Sequence, residues 1–184
     1  MGRPPTITPD DLIDAAERVV ERGGGSALTF DAVAAEAGVS KGAVLHHYPT
    51  KDALLIAMIE RLASREATPA SPDALTPRAA VVAHVERAAR TRGDQDAVSA
   101  TLLAAVARDV DLLAPLRVSA DAVIEGLTNK GLAPERAAIA HFALDGLWIS
   151  ELLGTSPLDD RSRERMLEAL ADLIAPEHVN QGDQ

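Results

Sequence analysis

Between Thr29 and Tyr48 the chain carries apolar, small and capping residues in an order that fits two short helices broken once, at Gly38. Apolar residues recur at steps of three and four on either side of that glycine: Phe30, Val33, Ala34 and Ala37 before it, then Val39, Val44, Leu45 and Tyr48 after it. Each half therefore has an inward face, and the two share one small core. Ala34 and Ala35 permit close approach of the helices, and Gly38 can take the positive φ that a tight helix-ending turn requires. Ser40 is placed to cap the second helix. Lys41, Gly42, Ala43, His46 and His47 are left on or near the outer surface, a short run with positive charge, hydrogen-bonding groups and no acid. Helices hinged in this way present one of the pair to the major groove of DNA.

The run from Val39 to Leu54, Val-Ser-Lys-Gly-Ala-Val-Leu-His-His-Tyr-Pro-Thr-Lys-Asp-Ala-Leu, resembles the recognition helix and following turn of the tetracycline-repressor (TetR) family of bacterial transcription regulators. Spacing, aromatic, proline and lysine all agree, and the motif covers the first third of the chain. The resemblance implies an all-α fold in which this segment reads DNA and a variable remainder binds a ligand and dimerises. It places Thr29 at the start of the supporting helix, His47 and Tyr48 near phosphate, and Lys51 at the start of the fourth helix. Lys41 and Ala43 are then expected at base edges, with Thr29, His47, Tyr48 and Lys51 holding phosphates. Leu45 stands where the family commonly has a tyrosine, so one hydroxyl contact to the DNA backbone is lost. Arg3, beside Pro4 and Pro5, is either an arm entering the minor groove or part of a disordered end.

Alanine and leucine abound, aromatics make up 2% of the 184 residues, and β-branched runs bounded by turns are missing, so helices must supply most of the burial. The absence of cysteine removes disulfides, thiolate metal sites and cysteine nucleophiles together. With no apolar run near the ~20 residues a bilayer requires and no signal-like start, a cytoplasmic location and no membrane partner are expected. The net charge of −10 opposes nucleic-acid binding at first sight. Its distribution matters more: residues 1–65 hold 7 basic against 9 acidic side chains, while residues 66–184 hold 11 against 19. Residues 38–51 contain two lysines and no acid, so the contact face is locally basic and its binding should be strongly salt sensitive.

Caps and breakers place about nine helices. Thr8-Pro9-Asp10-Asp11 opens the first, with Leu12, Ile13, Ala16, Val19 and Val20 at helical spacing, and Gly23-Gly24-Gly25 ends it in a flexible connection. Pro49 stops the third helix, and Thr50 caps a fourth to about Glu66 whose Leu54, Leu55, Met58, Ile59 and Leu62 suit it to bridge two domains. Pro69, Pro72 and Pro77 with serine and threonine mark a boundary. Domains are thus expected at 1–50, with helix four bridging, and at 67–176, followed by a frayed tail, 177–184. Helices from Thr76-Pro77 to about Arg92, from Asp94 or Asp96 to about Arg108, from Pro115 to Gly131, from Pro134 to Leu153 and from Asp159 to Ile174 fill the second half.

The segment from Glu135 to Leu153 holds too many large apolar residues for one stripe, so it buries two faces. Leu144, Leu147 and Leu152 with Met166, Leu167 and Leu170 of the last helix are the candidates for a four-helix interface between two copies, and a purely internal core is the alternative. A ligand pocket is expected among helices four to eight, lined by Leu62, His84, Leu102, Leu103, Ile124, Phe142 and Trp148; plain core packing would also account for any of these. Its effector would be mostly apolar, or anionic if Arg87, Arg90 and Arg92 face inward. His46 and His47 point about 100° apart on a helix and cannot readily share a metal ion, and His84 and His141 are more simply buried, hydrogen-bonded residues. No glycine-rich phosphate loop after a strand, metal spacing or nucleophile elbow supports catalysis, and no cofactor is implied. The expected function is a dimeric, ligand-responsive regulator, most simply a repressor, that releases a palindromic double-stranded operator when a small molecule binds. A helical protein-binding adaptor without DNA activity is the alternative.

Overall fold

The computed structural model describes residues 7–67, 76–93 and 96–175. Nine α-helices occur among them: α1 Pro9–Gly23, α2 Phe30–Ala37, α3 Lys41–His47, α4 Lys51–Ala67, α5 Pro77–Gly93, α6 Asp96–Val106, α7 Ala114–Thr128, α8 Pro134–Leu152 and α9 Asp160–Ile174. Two short 3-10 turns, Gly25–Ala27 and Val110–Leu113, precede α2 and α7, and the described residues contain no strand. Arg3, Pro69, Pro72, Asp94 and the tail lie outside the described residues, as do the side chains of Arg87, Arg90 and Arg92.

The helix starts follow the local chemistry. Asp11 donates its backbone N–H to Thr8 Oγ1 at 3.2 Å and accepts the Thr8 N–H at 2.8 Å, a reciprocal cap that satisfies two otherwise orphaned donors ahead of Pro9. The Thr8 side chain and backbone hydrogen bonds hold the Asp11 carboxyl below its ordinary value. Thr29, Ser40, Thr50, Thr76 and Asp159 cap α2, α3, α4, α5 and α9 in the same way, each accepting the N–H three residues on.

The chain forms two compact units, Met1–Ala63 with Gln95–Arg117, and Ser64–Asp94 with Val118–Gln184. The segment 95–117, grouped by sequence with the second half, belongs to the first unit. Val98, Leu102 and Leu112 explain why: they sit in one apolar cluster with Leu12, Val20, Leu28, Val33, Val44, Leu54, Met58 and Ile59. The triple glycine runs directly into regular structure. Gly25 opens a 3-10 turn, and a Cβ built there would lie 2.8 Å from Thr101 Cγ2, so any larger residue would force the Thr101 side chain or α6 to shift.

Two ionic clamps fix α1 in the first unit. Arg61 of α4 reaches Asp10 at 3.1 Å, Asp14, and Glu17 at 3.8 Å, with the guanidinium side chain only 15% exposed. Glu36 of α2 receives Arg18 at 2.8 Å and Arg22, which together hold its carboxyl below the ordinary glutamate value, Arg22 contributing most.

The second unit has its own core. Val81 and Val85 of α5, Val123 and Leu127 of α7, Leu144 of α8, and Leu167 and Ile174 of α9 form one cluster, with Ala137 and Ala140 fully buried on the inner face of α8. Arg136 donates to the carbonyls of Ile174 at 2.8 Å and Leu173 at 3.3 Å, placing a cation at the carboxyl end of α9.

Candidate nucleic-acid interface

The α2–α3 pair is built so that one face of α3 must point outward. Gly38 adopts φ 69°, ψ 30°, and the N–H of Val39 bonds to the Ala34 carbonyl at 2.9 Å, a turn that closes α2 and redirects the chain. Val33 and Ala34 from α2 and Val44 from α3 are buried in the first core. Val44 is fully enclosed and so fixes the rotation of α3 about its axis. The opposite side of the helix exposes Lys41, Gly42 and His46, with Ala43 and His47 partly exposed beside them.

Tyr48 anchors the end of α3 from inside. Its ring is 8% exposed and its hydroxyl donates to the Pro9 carbonyl at 3.2 Å, tying the recognition segment to the first turn of α1. Burial pushes the phenol above its ordinary pKa, with Asp10 adding to the effect. This corrects the expectation that Tyr48 lies near phosphate: a phenol has one O–H, and here it is spent within the protein. The apolar periodicity already placed Tyr48 with Val44 on the inner face; the resemblance pulled it outward.

Lys41 also differs from a simple free cation. Its ammonium sits 2.8 Å from Asp31 Oδ2, with side-chain exposures of 51% and 73% for the lysine and the acid. A surface pair this open contributes little to stability, on the order of 0–1 kcal/mol, so its effect is on charge and orientation. The run 38–51 is free of acid, yet α2 supplies one from ten residues upstream. The spacing of one exposed acid in the first turn of α2 and one exposed lysine in the first turn of α3 was the available signal.

Thr29 and Ser40 each accept a backbone N–H through their hydroxyl oxygen and keep their own O–H to donate outward. Both are exposed, as is Lys51 at the start of α4. The His46 and His47 rings meet edge to face with centroids 5.2 Å apart. Thr29, Ser40, Lys41, Gly42, Ala43, His46, His47 and Lys51 therefore all have surface to offer. Leu45, half-buried, does not replace the missing hydroxyl.

The residues expected to line a ligand pocket are divided between the units. Leu102 is buried in the first core, Leu62 packs against that core, and Leu103 is half-buried on α6. His84 is buried in the second unit with its ring 6.4 Å from that of buried His141, whose Nε2 lies 3.4 Å from Asp145. Ile124 packs against the second core, and Trp148 is half-buried. Phe142 is 61% exposed, with its ring 5.3 Å from that of His141.

The interface candidates differ in how far the protomer itself covers them. Leu144 and Leu167 are core residues of a single protomer, Leu147, Met166 and Leu170 pack against that core, and Leu152 is half-buried. Among the described residues the exposed large apolar side chains are Ile139, Phe142, Ile149 and Leu153 on or just beyond α8, Leu173 on α9, and Val110 and Val118 before and within α7. Positions 139, 142, 146, 149 and 153 fall at alternating steps of three and four, one continuous stripe with Gly146 at its centre. Sequence showed that α8 has two apolar faces; it could not show which one the protomer fills itself.

A capped helix held outward by a glycine turn, a buried valine and a tyrosine strut defines a helix-turn-helix unit of the kind that reads duplex DNA. Residues 12–58 match the model of the bacterial regulatory proteins of the tetR family, and residues 76–175 match a tetracyclin repressor-like C-terminal domain. The HTH-type transcriptional regulator BetI of Brucella canis is 30% identical over 171 residues, covering 86% of each chain. The multidrug binding protein EbrR complexed with ethidium superposes with a TM-score of 0.68 at 28% identity, over 88% of this chain and 96% of that one. A TetR family member from Streptomyces coelicolor A3 gives 0.67 at 28% identity, over 88% and 96%. The chain belongs to the TetR family of bacterial transcriptional regulators and is not an enzyme. No helix among the described residues is long and apolar enough to cross a membrane.

Proposed function

We propose that the chain is a homodimeric, cytoplasmic repressor that binds an inverted-repeat operator through α3 and releases it when a small molecule occupies the second unit. The observation that carries it is the outward face of α3, with Lys41, Gly42 and His46 exposed on a helix whose rotation Val44 and Tyr48 fix from behind. Lys41 and Ala43 meet base edges, and Thr29, Ser40, His47 and Lys51 hold phosphate. The family matches at residues 12–58 and 76–175 support a DNA-reading part at 1–50, joined by α4 to an effector and pairing part within 67–176, of which 95–117 packs with the first unit.

The stripe Ile139, Phe142, Gly146, Ile149 and Leu153 supports pairing, because an apolar strip of that length is covered by a symmetric copy in a closed dimer. Two recognition helices can then reach half-sites about 34–36 Å apart, or a multiple of that distance. The structural neighbour EbrR was captured with ethidium and with imidazole, which supports a small organic effector here. α4 begins in the DNA-reading unit and its last residues fall in the other, so a ligand that biases its position alters the separation of the two α3 helices.

Fluorescence anisotropy on a duplex from the promoter beside its own gene tests this. Specific binding is expected, and Lys51→Ala should weaken all duplexes alike and lower the log-log salt slope by about one. An unchanged slope removes Lys51 from the phosphate contacts; no sequence-preferring binding at all overturns the function.

A further inference from the structure

The first unit contains a cleft of about 620 Å³ that reading DNA does not require. One face of α6 forms its wall, with Ala97, Ala100, Thr101, Ala104 and Ala105 at alternating steps of three and one, and Arg108 just past the helix end. The facing side comes from the turn before α2, through Gly24, Gly25 and Ser26, and from the start of α4, through Lys51 and Leu55. Leu28 and Leu55 give the cleft a rigid apolar floor, because both are buried in the first core. The alanines of α6 create the space, while the close approach of Gly25 to Thr101 shuts it locally.

The chemistry of the lining is selective. Its charged members are two cations, Lys51 and Arg108, and no acid takes part, in a chain whose net charge is −10. Ser26 and Thr101 add neutral hydrogen-bonding groups. The volume falls within the range of small-molecule sites, and a mostly apolar wall with a few convergent polar groups is the usual composition of such sites.

We propose that this cleft binds a small monoanionic amphiphile, its apolar body against Leu28, Leu55 and the α6 alanines and its carboxylate on Lys51 and Arg108. A ligand seated there takes the cation that otherwise faces a DNA phosphate, so it weakens operator binding from inside the DNA-reading unit. The coupling to DNA rests on the function proposed above; the binding itself does not.

Octanoate is the probe and octanol its neutral control, each titrated into the full chain by amide NMR in the millimolar range expected of so small a ligand. Octanoate should shift the Gly24, Gly25, Ser26 and Thr101 amides saturably, and octanol should bind about tenfold more weakly because the charge-assisted contacts are lost. Ala104→Phe fills the cleft from an exposed position and should abolish the shifts; Arg108→Gln, also exposed, should raise Kd about tenfold. In anisotropy, octanoate should weaken DNA binding by the wild type and leave Ala104→Phe unaffected. Shifts centred elsewhere, equal binding of octanol, or unchanged binding by both variants overturn the site. Cleft binding that leaves DNA affinity untouched overturns the competition for Lys51. A chain that binds octanoate in the cleft and no DNA at all keeps the site and defeats the regulator function.

Discussion

Gly42→Ala separates what α3 needs for folding from what it needs for docking. Gly42 lies on the exposed side of α3, has no positive φ, and a Cβ built there would meet only Ser40 Oγ, at an ordinary 3.7 Å. The protein's own packing therefore leaves room for alanine. Glycine within a helix costs about 0.5–1 kcal/mol relative to alanine, and near the helix start the lower end applies. The variant should gain about 0.5 kcal/mol, a rise in Tm of about 1–2 °C for a chain of this length. On DNA the sign reverses, because the added methyl stands where α3 approaches the base edges between Lys41 and Ala43. Displacing one base-edge contact costs about 1–3 kcal/mol, roughly five- to 150-fold in operator affinity. Differential scanning calorimetry and anisotropy on one preparation measure both. A variant that is more stable and binds the operator as tightly as the parent would refute the docking of this face.

Tyr48→Phe should cost about 1 kcal/mol in urea unfolding through loss of the bond to the Pro9 carbonyl. Its operator affinity should stay within about twofold, and a tenfold loss without destabilisation would return the hydroxyl to the phosphate set. Because Arg22 and Arg18 depress the folded-state value of Glu36, its contribution is fully present above the unfolded pKa of about 4.3 and disappears as pH falls through the lower folded value. Glu36→Gln should therefore lower Tm at neutral pH, with the difference closing on acidification; a gap that persists in strong acid would contradict that origin. Phe142→Asp places a charge in the middle of the exposed α8 stripe and should shift the chain from dimer to monomer in sedimentation velocity, leaving the second core folded. An unchanged sedimentation coefficient would move the pairing surface elsewhere.

Punctuation made the helices legible. Thr8, Thr29, Ser40, Thr50 and Asp159 announce their helices because a hydroxyl or carboxylate cap acts within four residues, and Gly38 announces its turn because positive φ is a property of one residue. The outward face of α3 was equally plain, since Val44 and Tyr48 lie on the other side of the same helix. Long-range choices were not readable. That Leu102 joins Leu12 and Leu54, and that Phe142 faces solvent while Leu144 is buried, depends on which of several apolar faces meet. Periodicity marks a face as apolar without naming its partner. The Lys41–Asp31 pair is hidden for a related reason: the recognition run itself carries no acid, and α2 brings one in from the side.

Selection of duplexes from a random pool, with wild type and Lys41→Ala in parallel, tests the central claim most directly. The wild type should enrich an inverted repeat whose half-site centres lie about 10–10.5 base pairs, or a multiple, apart, and Lys41→Ala should lose preference at one position in each half. Enrichment of no repeat, or the same base preference in both proteins, would contradict a paired α3 reading the major groove.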